Sequence, residues 1–148
     1  MRVFLILLSF FIITGCAVTQ YKDLNLDTTS NFSSPKDGKS GIYVYQQKTG
    51  ILGAARDVDF EIKGQPTISL NTGEYGYFEV EPGEYEYKLS GGLFKQYISV
   101  QFEANKNYFF AARLSNFTDT AVLISNQMII DKVKENIAKG QYEIHNKD

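Results

Sequence analysis

Residues 76–89 read GYFEVEPGEYEYKL, and the fold class follows from this stretch. Phe78 and Val80 share one face of an extended segment. Glu81-Pro82-Gly83-Glu84 is a strong turn signal, because Pro presets φ and Gly supplies φ > 0. Beyond the turn, Tyr85, Tyr87 and Leu89 share a face opposite Glu84, Glu86 and Lys88. A period of two on both sides of a turn describes strands.

The same period extends in both directions. Upstream, Val58, Phe60 and Ile62 alternate with Asp57, Asp59 and Glu61, a half-buried strand. Ile42-Tyr-Val-Tyr45 is β-branched and aromatic throughout, which suits a strand covered on both faces. Thr67 to Leu70 is a short strand after Pro66, followed by an Asn71-Thr72-Gly73 turn. Downstream, Ile98, Val100 and Phe102 alternate with Tyr97, Ser99 and Gln101, and an Ala104–Asn107 turn leads into Tyr108 to Leu114. Ala121 to Ile124 closes the series. About eight short strands at spacings of roughly 8–12 residues predict a mainly β fold, an antiparallel β-sandwich.

One segment departs from the pattern. In Asn126 to Lys139, Ile129, Ile130, Val133 and Ile137 recur at helical spacing, with Ser125 or Asn126 to cap the first turn and Gly140 beyond the end. This is a C-terminal amphipathic helix; a strand running from Ile124 into Ile130 is the competing reading. Gln141 to Asp148 reads as a frayed tail.

The N-terminus has a different character. Met1 to Cys16 is MRVFLILLSFFIITGC, with Arg2 as a positive start and an apolar run of 11 residues from Val3 to Ile13, broken by Ser9. A bilayer needs ~20 helical residues, so the run has the length of a signal-peptide core. It ends in Ile13-Thr14-Gly15-Cys16, which resembles the bacterial lipobox. Small residues there admit the chain to the lipoprotein signal peptidase, and the Cys16 thiol accepts a diacylglyceryl group. Residues 1–15 are then a removed signal peptide, and 16–40 a lipidated Cys with a flexible polar tether onto which Leu24, Leu26 and Phe32 could dock. Residues 41–148 form the folded domain. Two or three acyl chains at ~0.8 kcal/mol per buried CH2 anchor a protein stably. The tether would hold the domain roughly 25–30 Å from the bilayer. Ala17 follows the Cys, where the enterobacterial sorting rule places Asp to retain a lipoprotein at the inner membrane; its absence predicts the outer membrane, facing the periplasm.

Composition narrows the function. The chain of 148 residues is 43% hydrophobic and 14% aromatic, enough for a packed core. Its net charge of −2, with no basic block, argues against nucleic acid as a partner. One Cys, one His and no Trp give little material for a metal cluster, a disulfide framework or a His-based triad. No cofactor beyond the covalent lipid on Cys16 is expected, and no metal.

Several residue groups bear on chemistry. Asp57, Asp59 and Glu61 line one face of a strand, where three carboxylates could attract Ca2+ or simply face water. Glu79, Glu81, Glu84 and Glu86 supply carboxylates for hydrolysis only if two of them face each other in a cleft. His145 lies in a polar tail that offers nothing to hold a catalytic base. Tyr75 and Tyr77 fall opposite Phe78 and Val80, and with Tyr43 and Tyr45 they would form an aromatic platform for a glycan or protein partner. The alternative is that these tyrosines pack under the helix.

From Gly41 to Ile137 the chain resembles the bacterial lipoprotein family labelled domain of unknown function 2846. The likeness rests on the Ile42-Tyr-Val-Tyr45 strand, the Val58 to Gly64 strand and turn, Phe78-Glu-Val-Glu-Pro-Gly-Glu-Tyr85, Asn105 to Leu114 and the terminal helix. Gln46-Gln47 stands where the family usually has an Arg, and Tyr85 where it usually has a His. The Pro-Gly-Glu-Tyr turn is equally similar to those of PEGA-type and transthyretin-like sandwiches. The resemblance implies an envelope lipoprotein and brings no catalytic residue with it.

Three functions remain in view. The first is a non-enzymatic binding or scaffolding module of the cell envelope. The second is an inhibitor or immunity-type lipoprotein that blocks a lytic enzyme through Thr49–Arg56 or Gly91–Gln96. The third is a carboxylate-based hydrolase. The expectation is the first.

Overall fold

The structure, a computed structural model, describes residues 31–47, 57–90, 96–113 and 120–144. In these residues the chain forms β1 (Ser40–Gln46), β2 (Val58–Ile62), β3 (Ile68–Leu70), β4 (Glu74–Val80), β5 (Gly83–Ser90), β6 (Ile98–Phe102), β7 (Asn107–Arg113), β8 (Thr120–Leu123), α1 (Gln127–Ala138) and β9 (Glu143–Ile144). A five-stranded sheet has the order β8-β7-β1-β4-β9, and a four-stranded sheet the order β3-β2-β5-β6. The expected sandwich with one C-terminal helix is what forms.

Two pairings are parallel rather than antiparallel. β1 runs alongside β7, with Gly41 opposite Asn107 and Gln46 opposite Ala112, and β4 runs alongside β9. A parallel neighbour needs a long connection. Between β1 and β7 the chain builds the whole four-stranded sheet and β4, so β7 can start from the same end as β1. The Glu81–Pro82 turn likewise does not close a paired hairpin. It carries the chain from β4 in one sheet to β5 in the other.

The alternation of side chains builds three layers. From β1, β4 and β7, one set of alternate residues (Ile42, Val44, Phe78, Val80, Phe110 and Ala112) points between the sheets. There it meets Phe60, Ile62, Tyr87, Leu89 and Phe102 of the four-stranded sheet. The other set, Tyr43, Tyr45, Tyr75, Tyr77, Phe109 and Ala111, points the opposite way, toward α1. Burial on both faces explains why β1 is apolar without alternation.

Helical spacing prevails over the competing strand after Ile124. The Asn126 side chain caps α1, its Oδ1 accepting from the amides of Met128 (3.0 Å) and Ile129 (3.4 Å). Val133 and Ile137 are buried on the five-stranded sheet, and Ile130 is half-buried there. At the other end Gly140 takes φ 68°, a left-handed conformation that only glycine adopts without strain, and ends the helix.

Two boundaries differ from the expectation. Residues 31–39, read as tether, pack on the domain: Pro35 is buried, Phe32 lies on Tyr43 and Phe109, and Asn107 Nδ2 donates to the Ser33 carbonyl at 2.9 Å. Glu143–Ile144, read as frayed tail, pairs with Glu74 and Tyr75. Two residues carry no periodicity, so β9 has no signature of its own.

The strands also give the sandwich two poles. β1, β5 and β7 end, and β2, β6 and β8 begin, at one pole, with the Asn71–Gly73 turn. The chain enters β1 at the other pole, beside the Glu81–Pro82 and Glu103–Lys106 connections.

Candidate functional site

The four tyrosines singled out from sequence come together. Tyr43 pairs with Tyr77, and Tyr45 with Tyr75, across β1 and β4, while Phe109 of β7 stands beside Tyr43 on the other side. Tyr43 and Phe109 stack with centroids 4.9 Å apart and an interplanar angle of 7°, and Tyr43 and Tyr77 lie 4.5 Å apart. Aromatic contacts at these separations add to the area they bury.

They do not form an open platform. None of Tyr43, Tyr45, Tyr75 and Tyr77 is more than 4% exposed. Phe32, Ile130, Val133, Ile137 and Tyr142 cover them, with Tyr142 edge-on to Tyr45 at 5.4 Å. The face was read correctly and its cover was not. An amphipathic helix beside an aromatic sheet buries its apolar stripe there, because water is the alternative for both.

Electrostatics follow burial. Desolvation raises the Tyr43 phenol above its ordinary range, and the neighbouring Tyr75 and Glu79 push it further the same way. Tyr77 is raised by burial and by its hydrogen bond to Glu79, whose Oε1 accepts from the phenol at 2.9 Å. The same oxygen accepts from the Lys36 amide at 3.0 Å, which ties the N-terminal segment to β4. Lys134 Nζ lies 5.6 Å from the Phe32 ring centroid and 5.4 Å from that of Phe109. Neutral phenols under a helix are packing elements; their chemistry is to hold that layer together.

The carboxylate row lies on the outer face of the four-stranded sheet and is engaged locally. Asp59 accepts from the Ser69 hydroxyl. Glu61 accepts from the Tyr97 hydroxyl and pairs with Lys88 at 3.0 Å, and these two contacts lower its pKa. Lys88 also lies 4.5 Å from the Tyr97 centroid, and Lys63 pairs with Glu86. Glu81 pairs with Lys39 and, through its backbone carbonyl, accepts from Tyr85. Among the described residues no group of three or more His, Cys, Asp or Glu is placed to hold a metal. Ile13, Thr14, Gly15, Cys16, residues 49–56 and 91–95, and His145 lie outside the described residues.

Sequence reasoning passed over three residues. Asn107 holds the Phe32 segment, and its Oδ1 fills the space beside Gly41, where a Cβ would lie 2.0 Å from that oxygen and 2.9 Å from the Tyr77 hydroxyl. Gln46 is fully buried and donates to Thr72 Oγ1 at 3.0 Å, joining β1 to the turn before β4. Lys134 covers two rings. A lone Phe in a polar stretch was the signal for the first of these contacts; a polar residue beside a glycine position gives none.

A comparison with protein families matches residues 36–123 to "Protein of unknown function (DUF2846)", more than half of the chain. The chain belongs to this family. No curated protein matches it. The DUF2846 match divides the molecule along a physical boundary. β1 to β8 and every residue of the core between the sheets fall inside it. The residues that cover the tyrosine face, namely Phe32, Ile124, Ile130, Val133, Ile137 and Tyr142, all fall outside.

Proposed function

We propose that this DUF2846 protein is a lipid-anchored envelope lipoprotein whose β-sandwich is a non-enzymatic binding or scaffolding module facing the periplasm. The observation that carries the reading is Ile13-Thr14-Gly15-Cys16 closing an apolar run of signal-peptide length. The engagement of Glu61, Glu79, Glu81 and Glu86 with neighbouring lysines, amides and phenols supports structural roles for these carboxylates rather than hydrolysis. With Arg2 removed with the signal peptide, the processed chain has a net charge of −3. Ala17 after the Cys favours the outer membrane.

The test is Cys16→Ser with metabolic palmitate labelling and membrane fractionation. Loss of label and release from membranes after a high-salt wash is the expected result. A mutant that stays with the membranes refutes the anchor. Sucrose-gradient separation then distinguishes the two membranes, and inner-membrane cofractionation refutes the sorting. Affinity capture separates the roles: several envelope proteins support scaffolding, and a single lytic enzyme supports inhibition.

A further inference from the structure

We propose that α1–β9 is a detachable cover, and that the tyrosine face beneath it is a docking surface for an amphipathic helix. The face already accepts one. Ile130, Val133 and Ile137 sit on Tyr43, Tyr45, Tyr75, Tyr77 and Phe109 with the i, i+3, i+7 spacing by which helices engage grooves. The occupant is thus on the page: the chain's own segment 124–144 defines the shape and chemistry of what fits.

Two independent features say that the cover is held lightly. α1 has 12 residues and buries Val133 and Ile137, while Met128 is 77% exposed and Ile129 44%. Isolated helices of this length are marginal in water, so α1 persists through a small number of contacts. β9 adds pairing at Glu74 and Tyr75, two positions of a seven-residue strand. The second feature is the division of the two cores. No residue of the cover belongs to the core between the sheets, so α1 can leave without opening it. Elements with few buried apolar contacts open sub-globally, ahead of the rest of the fold.

Amide hydrogen exchange on the whole processed chain tests the detachment, using Asn126→Ala. Asn126 is exposed and touches the α1 amides, so its loss weakens the helix and leaves the sheets alone. The expected result is α1 amides exchanging at least about tenfold faster than those of β1 and β7. The variant should accelerate α1 about fivefold with β1 and β7 unchanged. Equal acceleration of α1 and β1 would show one cooperative unit and overturn the cover. A labelled peptide of residues 124–144, titrated against the Asn126→Ala protein, tests the docking. Saturable binding that is lost when the peptide carries Val133→Asp supports it; no binding, or binding that ignores Val133→Asp, overturns it.

Discussion

Raising the pH attacks the tyrosine layer directly. Burial raises the phenols of Tyr43, Tyr45, Tyr77, Tyr87 and Tyr142 above the ordinary tyrosine value of 10.0. In the unfolded chain they ionise near that value, so their stabilising contribution is complete below about pH 10 and is lost as the pH climbs toward the folded values. Each phenol held neutral withdraws about 1.4 kcal/mol per pH unit above the unfolded pKa. Tyr43, Tyr45 and Tyr77 together withdraw about 4 kcal/mol by about pH 11, and all five about 7 kcal/mol. A domain stable by about 5–15 kcal/mol should therefore unfold cooperatively between about pH 11 and 12. Tyrosinate absorbance and far-UV circular dichroism recorded on one sample check this. Ionisation should be steep and coincide with loss of the β signal. A gradual titration at the ordinary tyrosine value, with the β signal intact, would mean that water reaches these phenols in the folded chain, and the covered face would be refuted.

Other substitutions separate the layers. Gly41→Ala places a methyl on Asn107 Oδ1 and the Tyr77 hydroxyl; displacing Asn107 releases the Phe32 and Ser33 carbonyls, and a loss of about 1–3 kcal/mol in urea unfolding is expected. An unchanged midpoint would contradict that contact. Phe110→Ala, at the centre of the core between the sheets, should cost about 3–5 kcal/mol, whereas Tyr97→Ala on the wet face should stay within about 1 kcal/mol. Comparable losses for the two would place the main core elsewhere. The Lys139 and Lys132 ammonium groups beside Glu135 hold its carboxyl down at about 2, so carbon-detected NMR should show its titration well below that of an ordinary glutamate. A midpoint near 4.5 would mean that these pairs do not persist in solution.

What the sequence discloses depends on how local the cause is. The strands on either side of Glu81–Pro82 are legible because alternation, turn chemistry and burial all act over a few residues. Asn126 as a cap and Val133 and Ile137 as the helix stripe are legible for the same reason. The parallel pairing of β1 with β7 is not, since it joins segments more than sixty residues apart and leaves no trace in either. The tyrosines show the limit most clearly. Their shared face follows from period two, but exposure depends on whether another element covers it, and Val133 and Ile137 satisfy an apolar stripe equally well against either sheet. Phe32 and Asn107 form a contact across 75 positions of sequence, which no spacing rule reaches.

The docking of residues 31–39 bears on how this domain meets mechanical load. A pull transmitted through the chain before residue 31 does not reach β1 directly. It first meets the Asn107 contact to Ser33, the Lys36 amide on Glu79, the Gly38 amide on Asn105 and the Lys39–Glu81 pair, which must be broken one after another. Behind them stands β1, a central strand bonded to β4 on one side and β7 on the other, which has to be sheared as a whole. A graded yield ahead of a stiff element is the arrangement of a shock absorber, and it shortens the free line between Cys16 and the fold. With 31–39 seated, residues 17–30 span roughly 20 Å as a flexible chain, so a lipid-anchored domain is held closer to its bilayer until tension pays out the rest.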